Sequence, residues 1–302
     1  MNLESYKMID CNYKDLICIT AYKDPKMLSL LLDSIRDDFI VYVHIDKKNK
    51  ELFEHVIEDN PTVSFYSEYA VNWGSYQHLE AILLLLRESM KEKWRYAHII
   101  SGEDYPIKSN QFIYERFSND NRSYANYELS VDKQNHANRR YRYFWPYVKY
   151  QWNYKNKIYR FFSLFLIGVQ YLFVRRRRIG NLTNIYWGFV WGDYHRDAIE
   201  CILKYIGSNR RFISDLQWCK IPEEFLFQTI LLNDPIQRNR IENKTLRFWQ
   251  FDDGENTNPR YLVLDDIDLL INSDAIFARK FKSDSNVLFE ISKLRIGINS
   301  NE

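Results

Sequence analysis

Two apolar strands flank one amphipathic helix between residues 16 and 46, and this pattern constrains the chain more than any other. Leu16-Ile17-Cys18-Ile19-Thr20 is an apolar run of the length of one buried strand. Asp24-Pro25 then opens a segment in which Met27, Leu28, Leu31, Leu32 and Ile35 recur at helical spacing. Phe39-Ile40-Val41-Tyr42-Val43-His44-Ile45-Asp46 follows, rich in β-branched residues and ending in a carboxylate. Strand, helix, strand is the signature of a parallel α/β unit. The alternation continues with a short strand at 63–66, a helix at 75–90 and a fourth strand at 96–100. The expected fold class is α/β, with a mixed, mostly parallel central sheet and ligand sites in the loops at its carboxyl ends. In the C-terminal third the pattern predicts a helix over 224–232, a strand over 246–251, a turn over 251–254 and a helix over 267–271.

The 302 residues are 46% hydrophobic and 27% charged, the balance of an ordinary globular protein with room for a large core. The four cysteines form no C-x-x-C, which argues against a zinc ribbon, and they read as free thiols of a reducing compartment. The first residues are polar and lack the apolar core of a signal peptide, so the expected location is cytoplasmic. Charge is uneven: residues 133–192 carry twelve Lys and Arg and no Asp or Glu. Such a segment calls for an anionic partner. Within it, residues 161–174 are apolar and are closed by Arg175-Arg176-Arg177-Arg178. A bilayer span needs about 20 residues, so this run is either a buried or partly covered helix with a basic end or a helix lying on an anionic membrane. No RNP, KH or helix-turn-helix signature accompanies the basic residues, and nucleic acid is not an expected partner.

Four places offer carboxylates for chemistry. Glu223 and Glu224 follow Pro222 at a helix start, where acids also suit the dipole without any catalytic role. Asp46 ends a strand and faces the ligand crevice of an α/β sheet. There it can hold a ribose or base, bind a metal, or cap the next turn. Glu103 and Asp104 follow the fourth strand without a further acid at Pro106 or Ile107, and a hard cation wants more oxygen ligands than two. Asp265-Asp266-Ile267-Asp268 reads as the cap of the helix that follows. The six histidines show no metal-ligand spacing, and the P-loop, dinucleotide-binding and nucleophile-elbow motifs are absent.

Five blocks in order resemble the core-2/I-branching β-1,6-N-acetylglucosaminyltransferases and the related peptide O-xylosyltransferases of glycosyltransferase family 14. They are Val43-His44-Ile45-Asp46-Lys47-Lys48, Asn72-Trp73-Gly74-Ser75 with its following helix, Ile99 to Asn110 with Ser101-Gly102-Glu103-Asp104-Tyr105-Pro106 at its centre, Pro222-Glu223-Glu224-Phe225-Leu226, and Phe277-Ala278-Arg279-Lys280-Phe281. The resemblance runs over about residues 16–285. It implies a GT-A-type fold and an inverting, metal-independent transfer from a UDP-sugar, with no cofactor. Glu224 is implied as the base on the acceptor hydroxyl, and Asp46, Arg260 and Lys280 as UDP contacts, the two cations replacing the metal. Trp73, Glu103 and Asp104 are implied in the donor or acceptor loops, and Trp249 or Phe248 as an aromatic against the acceptor.

The chain is then expected to be one domain, with a nucleotide-binding half at 1–132, the basic aromatic segment at 133–192 and an acceptor and catalytic half at 193–302. Lacking the anchor and disulfides of the animal enzymes, it looks like a bacterial member, cytoplasmic or peripheral at the inner face of the plasma membrane. Its expected partners are UDP-N-acetylglucosamine and a glycan acceptor, lipid-linked if 139–178 meets a membrane. The alternatives are a xylosyltransferase, another UDP-sugar transferase, or a non-catalytic membrane-surface scaffold. Tyr186-Trp187-Gly188-Phe189-Val190-Trp191 departs from the family pattern ahead of the base, and the Arg260–Lys280 spacing is shorter than in the animal enzymes.

Overall fold

The computed structural model describes residues 13–130, 136–149, 156–173, 179–180, 182, 184–252 and 258–298. The strands are β1 (Leu16–Ala21), β2 (Ile40–Ile45), β3 (Ser64–Tyr66), β4 (Tyr96–Ser101), β5 (Asp104–Pro106), β6 (Ser123–Ala125), β7 (Glu128–Leu129), β8 (Tyr186–Trp187), β9 (Asp193–His195), β10 (Ile241–Asn243), β11 (Arg247–Trp249) and β12 (Phe277–Arg279). Seven of them form the main sheet in the order β10-β6-β9-β4-β1-β2-β3. Four of its ladders are parallel and two are antiparallel, because β9 runs against both β4 and β6. This is the expected mixed, mostly parallel sheet. A smaller sheet, β11-β12-β5, lies beside it.

The period-two alternation of each strand supplies both faces of the main sheet. Leu16 and Cys18 of β1, Tyr42 of β2 and Ala97 and Ile99 of β4 pack into one core with the helices Tyr76–Ser89, Arg196–Ser208 and Glu223–Asn233. Ile17 and Ile19, Val41 and Val43, and Tyr96 and Ile100 pack into the other, with the helix Pro25–Ile35 and with Phe277, Phe281 and Ile291. The helix Pro25–Ile35 begins where Asp24 accepts a hydrogen bond from the Met27 amide, and Pro25 needs no donor there.

A fully buried ion cluster joins the two sheets. Arg247 of β11 donates to both oxygens of Asp193 in β9, at 2.8 and 2.9 Å, and His98 Nδ1 of β4 lies 2.6 Å from Asp193 Oδ1. Burial works against the Asp193 charge, but Arg247 and His98 outweigh it and hold the carboxyl below its ordinary range. Cys18, Cys201 and Cys219 are free thiols, as the sequence reading expected of them. Burial pushes Cys18 far up and Cys201 to about 11, so neither is a ready nucleophile.

The apolar run of the basic segment forms the helix Lys157–Phe173, and only Ser163 of it is buried. The helix is therefore partly covered and not fully buried, with Leu166, Ile167 and Gln170 half-buried beside Ser163. Among the described residues no helix is long and apolar enough to cross a membrane. Arg175–Arg178, and Asp253-Gly254 of the predicted turn, lie outside the described residues.

Candidate active site

His78 links the carboxyl end of β1, at Thr20, to the amino end of the helix Glu223–Asn233. The approach to that helix is fixed by backbone geometry. Ile221 has φ +55°, a conformation rare for a β-branched residue, and its amide donates to the Gly74 carbonyl at 3.0 Å. Gly74 itself has φ +71°, and a Cβ there would lie 3.3 Å from Ile221 Cγ1. Such strain costs of order 1–3 kcal/mol and concentrates at functional sites. The Trp73-Gly74 block is thereby clamped onto the Pro222-Glu223-Glu224 block.

The two adjacent acids have different surroundings. Glu223 is buried, with Oε1 2.8 Å from His78 Nδ1, and His78 Nε2 lies 3.3 Å from the Thr20 hydroxyl at the end of β1. A carboxylate has no proton to give, so Nδ1 of His78 donates here. Glu224 keeps 16% of its side chain exposed. Arg140, from the helix His136–Arg142, donates to Glu224 Oε2. Burial raises the Glu224 carboxyl to about 7, with Arg140 opposing the rise and Glu223 adding to it. An accessible carboxyl near neutrality can serve as a general base, whereas Glu223 is held by the half-buried His78.

A second cluster lies around Glu103. Its Oε1 accepts from the Tyr261 hydroxyl at 2.8 Å and stands 3.1 Å from Lys23 Nζ. Lys280 sits within the electrostatic reach of Glu103, Arg279 and Lys23, and burial lowers it from its ordinary range. Among the described residues its ammonium has no hydrogen-bond or ion-pair partner. Asp104 is fully buried and accepts from the Ser101 amide at 3.0 Å and the Ser101 hydroxyl at 2.6 Å, with Arg279 Nε 3.4 Å away. Its oxygens face protein donors on every side described. The Arg279 guanidinium covers Trp191 at 4.5 Å, and Trp191 lies 5.9 Å from His78, which closes a line of contacts from Glu223 to Lys280.

The remaining predicted residues fall nearby, in differing states. Asp46 is buried and accepts from the Lys48 amide at 3.1 Å and the Val71 amide at 3.2 Å, so it anchors the loop leading to Trp73. His44 Nε2 accepts from the Tyr69 amide at 3.2 Å in the same loop, and burial drops His44 to about 4. Trp73 is 65% exposed with Lys220 Nζ 4.6 Å over its ring. Trp249 meets Phe189 edge-on at 5.0 Å, and the adjacent Gly188 donates to the Glu224 backbone carbonyl at 2.9 Å. Phe248 is half-buried and packs against the core. Arg260 differs from expectation in being paired: both terminal nitrogens bind Asp266, at 2.7 and 2.8 Å. Lys23, Arg140, Lys220 and His78 are the groups that sequence reasoning did not assign to the site. Among the described residues no group of three or more His, Cys, Asp or Glu is arranged to hold a metal ion.

Residues 18–268 match the family described as Core-2/I-branching enzyme. Lys280 lies beyond the matched residues. Beta-glucuronosyltransferase GlcAT14A of Arabidopsis thaliana is 26% identical over 250 residues, covering 81% of this chain and 52% of that protein. Beta-glucuronosyltransferase GlcAT14B of the same plant is 33% identical over 103 residues, covering 34% of this chain and 21% of that protein. The chain thus spans about half the length of GlcAT14A or less of these curated relatives.

Proposed function

This chain belongs to the Core-2/I-branching enzyme family of glycosyltransferases, and from that premise we propose an inverting, metal-independent transfer of a sugar from UDP to a glycan hydroxyl in β linkage. Family membership and the mixed α/β sheet make it a glycosyltransferase of GT-A-like fold acting on a nucleotide-sugar and a glycan acceptor. The finer reading rests on one observation: Glu224 is partly exposed and raised to about 7, while its neighbour Glu223 is buried against His78.

In the proposed step the acceptor oxygen attacks the anomeric carbon from the face opposite UDP. The bond from that carbon to the diphosphate oxygen breaks with its electron pair going to UDP, and Glu224 takes the hydroxyl proton. Lys280 receives the developing diphosphate charge, which a cation without another partner in a partly dry site stabilises well. Lys23 lies in the same cluster as a further cation. Arg260 can contribute only by sharing its guanidinium with Asp266. The occupied oxygens of Asp104 support a reading without metal, and Trp249 is the better placed aromatic for the acceptor.

For the donor, the five sequence blocks favour N-acetylglucosamine, with surface polysaccharide as the product class. The plant relatives are named glucuronosyltransferases, which makes UDP-glucuronate the second candidate, with UDP-xylose a third. A panel of the three donors separates them, since donor choice is a difference in transition-state binding. The mechanism is tested by titrating UDP in the presence of EDTA into the wild type and Lys280→Ala. Binding in EDTA that weakens about 10- to 100-fold in the variant, the range for one charged hydrogen bond, upholds it. Binding that needs added Mn²⁺ overturns metal independence.

A further inference from the structure

The helix Lys157–Phe173 is attached to the protein along one face, with Tyr171 at its edge 6.4 Å from Tyr143. Ser163 is buried, Leu166, Ile167 and Gln170 are partly buried, and these positions follow the i, i+3, i+4, i+7 pattern of a single helix face. Gln170 fixes the attachment, accepting from the Phe144 amide at 2.8 Å and donating to the Phe144 carbonyl at 2.9 Å. The rest of the surface is apolar and open: Phe161, Phe162, Leu164, Phe165, Leu172 and Phe173 are all at least half exposed. Single exposed apolar residues need no explanation, but a contiguous set of this size marks an interaction surface.

Charge and length decide what covers it. Lys157 and Arg160 lie on the helix, Arg175 to Arg178 follow it in sequence, and residues 133–192 contain no acid at all. An apolar helix flanked in sequence by cations alone complements an apolar layer beneath anionic headgroups. A protein groove would need acids for those cations and a second copy would bring like charge against like. At 1.5 Å per residue the helix is about 26 Å long, short of the roughly 30 Å hydrocarbon layer, so it lies in the surface and does not span.

The attachment also leads to the active site. Phe144 follows the helix His136–Arg142, whose Arg140 binds Glu224 and whose Arg140 carbonyl accepts from the Lys220 amide at 2.9 Å. We propose that the helix Lys157–Phe173 embeds in the surface of an anionic bilayer and so presents the Glu224 site to acceptors carried on lipid. The second part rests on the glycosyltransferase reading above; the first does not.

Flotation of the full chain with phosphatidylcholine vesicles, with and without phosphatidylglycerol, tests it, alongside Phe165→Glu/Leu172→Glu. Both substituted side chains are exposed, so the fold is kept, and a UDP titration of each sample checks the active site independently. The expected result is flotation that requires phosphatidylglycerol, weakens with salt, and falls at least about tenfold in the double variant. No flotation with anionic vesicles, or flotation indifferent to the double variant, overturns the proposal. So does a dimer in solution that the double variant dissolves, since a second copy then covers the helix. Flotation without UDP binding leaves the membrane helix standing and removes the transferase reading. UDP binding without flotation does the reverse.

Discussion

Arg140 donates to the carboxylate of Glu224 from a helix that precedes it by eighty-four positions in the chain. The pair sets the working pH of the proposed base. Burial is the main force driving Glu224 up, Glu223 adds to it, and Arg140 is the first force against that rise. Removing the cation in Arg140→Gln raises the carboxyl further, so the acid limb of the pH–rate profile moves to higher pH. A limb that stays in place means that Arg140 leaves Glu224 before chemistry.

Glu224→Gln separates catalysis from binding. Transfer is expected to fall about 10²- to 10⁴-fold, the usual contribution of a general base, while UDP affinity is retained. The variant also changes stability in a defined direction. A carboxyl raised from 4.5 to about 7 on folding stabilises the protein fully below pH 4.5, and that contribution is lost as pH rises through about 7. Urea midpoints of the wild type should fall relative to Glu224→Gln across that window. Parallel curves refute the raised value.

His44 predicts the opposite slope. Folding lowers its imidazole from 6.5 to about 4, because burial disfavours the charged ring and Nε2 must stay free to accept from Tyr69. That contribution is present above 6.5 and is lost as pH falls through about 4. His44→Gln, which keeps an acceptor without titrating, should flatten the acid side of the stability profile. The loop holding Asp46 and Trp73 loosens with it, so proteolysis near residues 69–73 in the wild type should rise over the same acid range.

The first half of the fold was legible because its signals are local. Strands β1, β2 and β4 are runs of apolar residues, and the helices between them carry their spacing in the sequence. Strands β5, β6, β9 and β12 are three residues each and carry no strand signal of their own, whereas the equally short β3 and β11 lie in the longer runs 63–66 and 246–251. Candidate site residues stand out in the sequence where a block of neighbours carries them, as with Glu224 and Lys280. Arg140 and Lys23 reach the site through tertiary packing across long separations, which leaves no mark on local sequence. Arg260 shows the converse: the sequence displays a cation near two carboxylates, and only geometry reveals that Asp266 takes both its nitrogens.

The departure at Tyr186-Trp187-Gly188-Phe189 has a packing cause that predicts a sharp contrast between two glycines. A Cβ on Gly188 would stand 1.9 Å from the Asn126 carbonyl oxygen, a backbone atom that cannot rotate away, and the Gly188 amide is bound to the Glu224 carbonyl. Gly188→Ala must push this segment off the start of the helix Glu223–Asn233. The expected cost is at the upper end of the about 1–3 kcal/mol typical of overpacking, with transfer lost along with it. Gly207, near the end of the helix Arg196–Ser208, would meet nothing within 4 Å. There the same substitution removes only chain freedom from the unfolded state and should stabilise by about 0.4–1 kcal/mol, leaving transfer unchanged. Thermal unfolding of the two variants beside the wild type measures both signs. If Gly188→Ala melts with the wild type and still transfers sugar, the close approach between residues 126 and 188 is not what holds Glu224 in place.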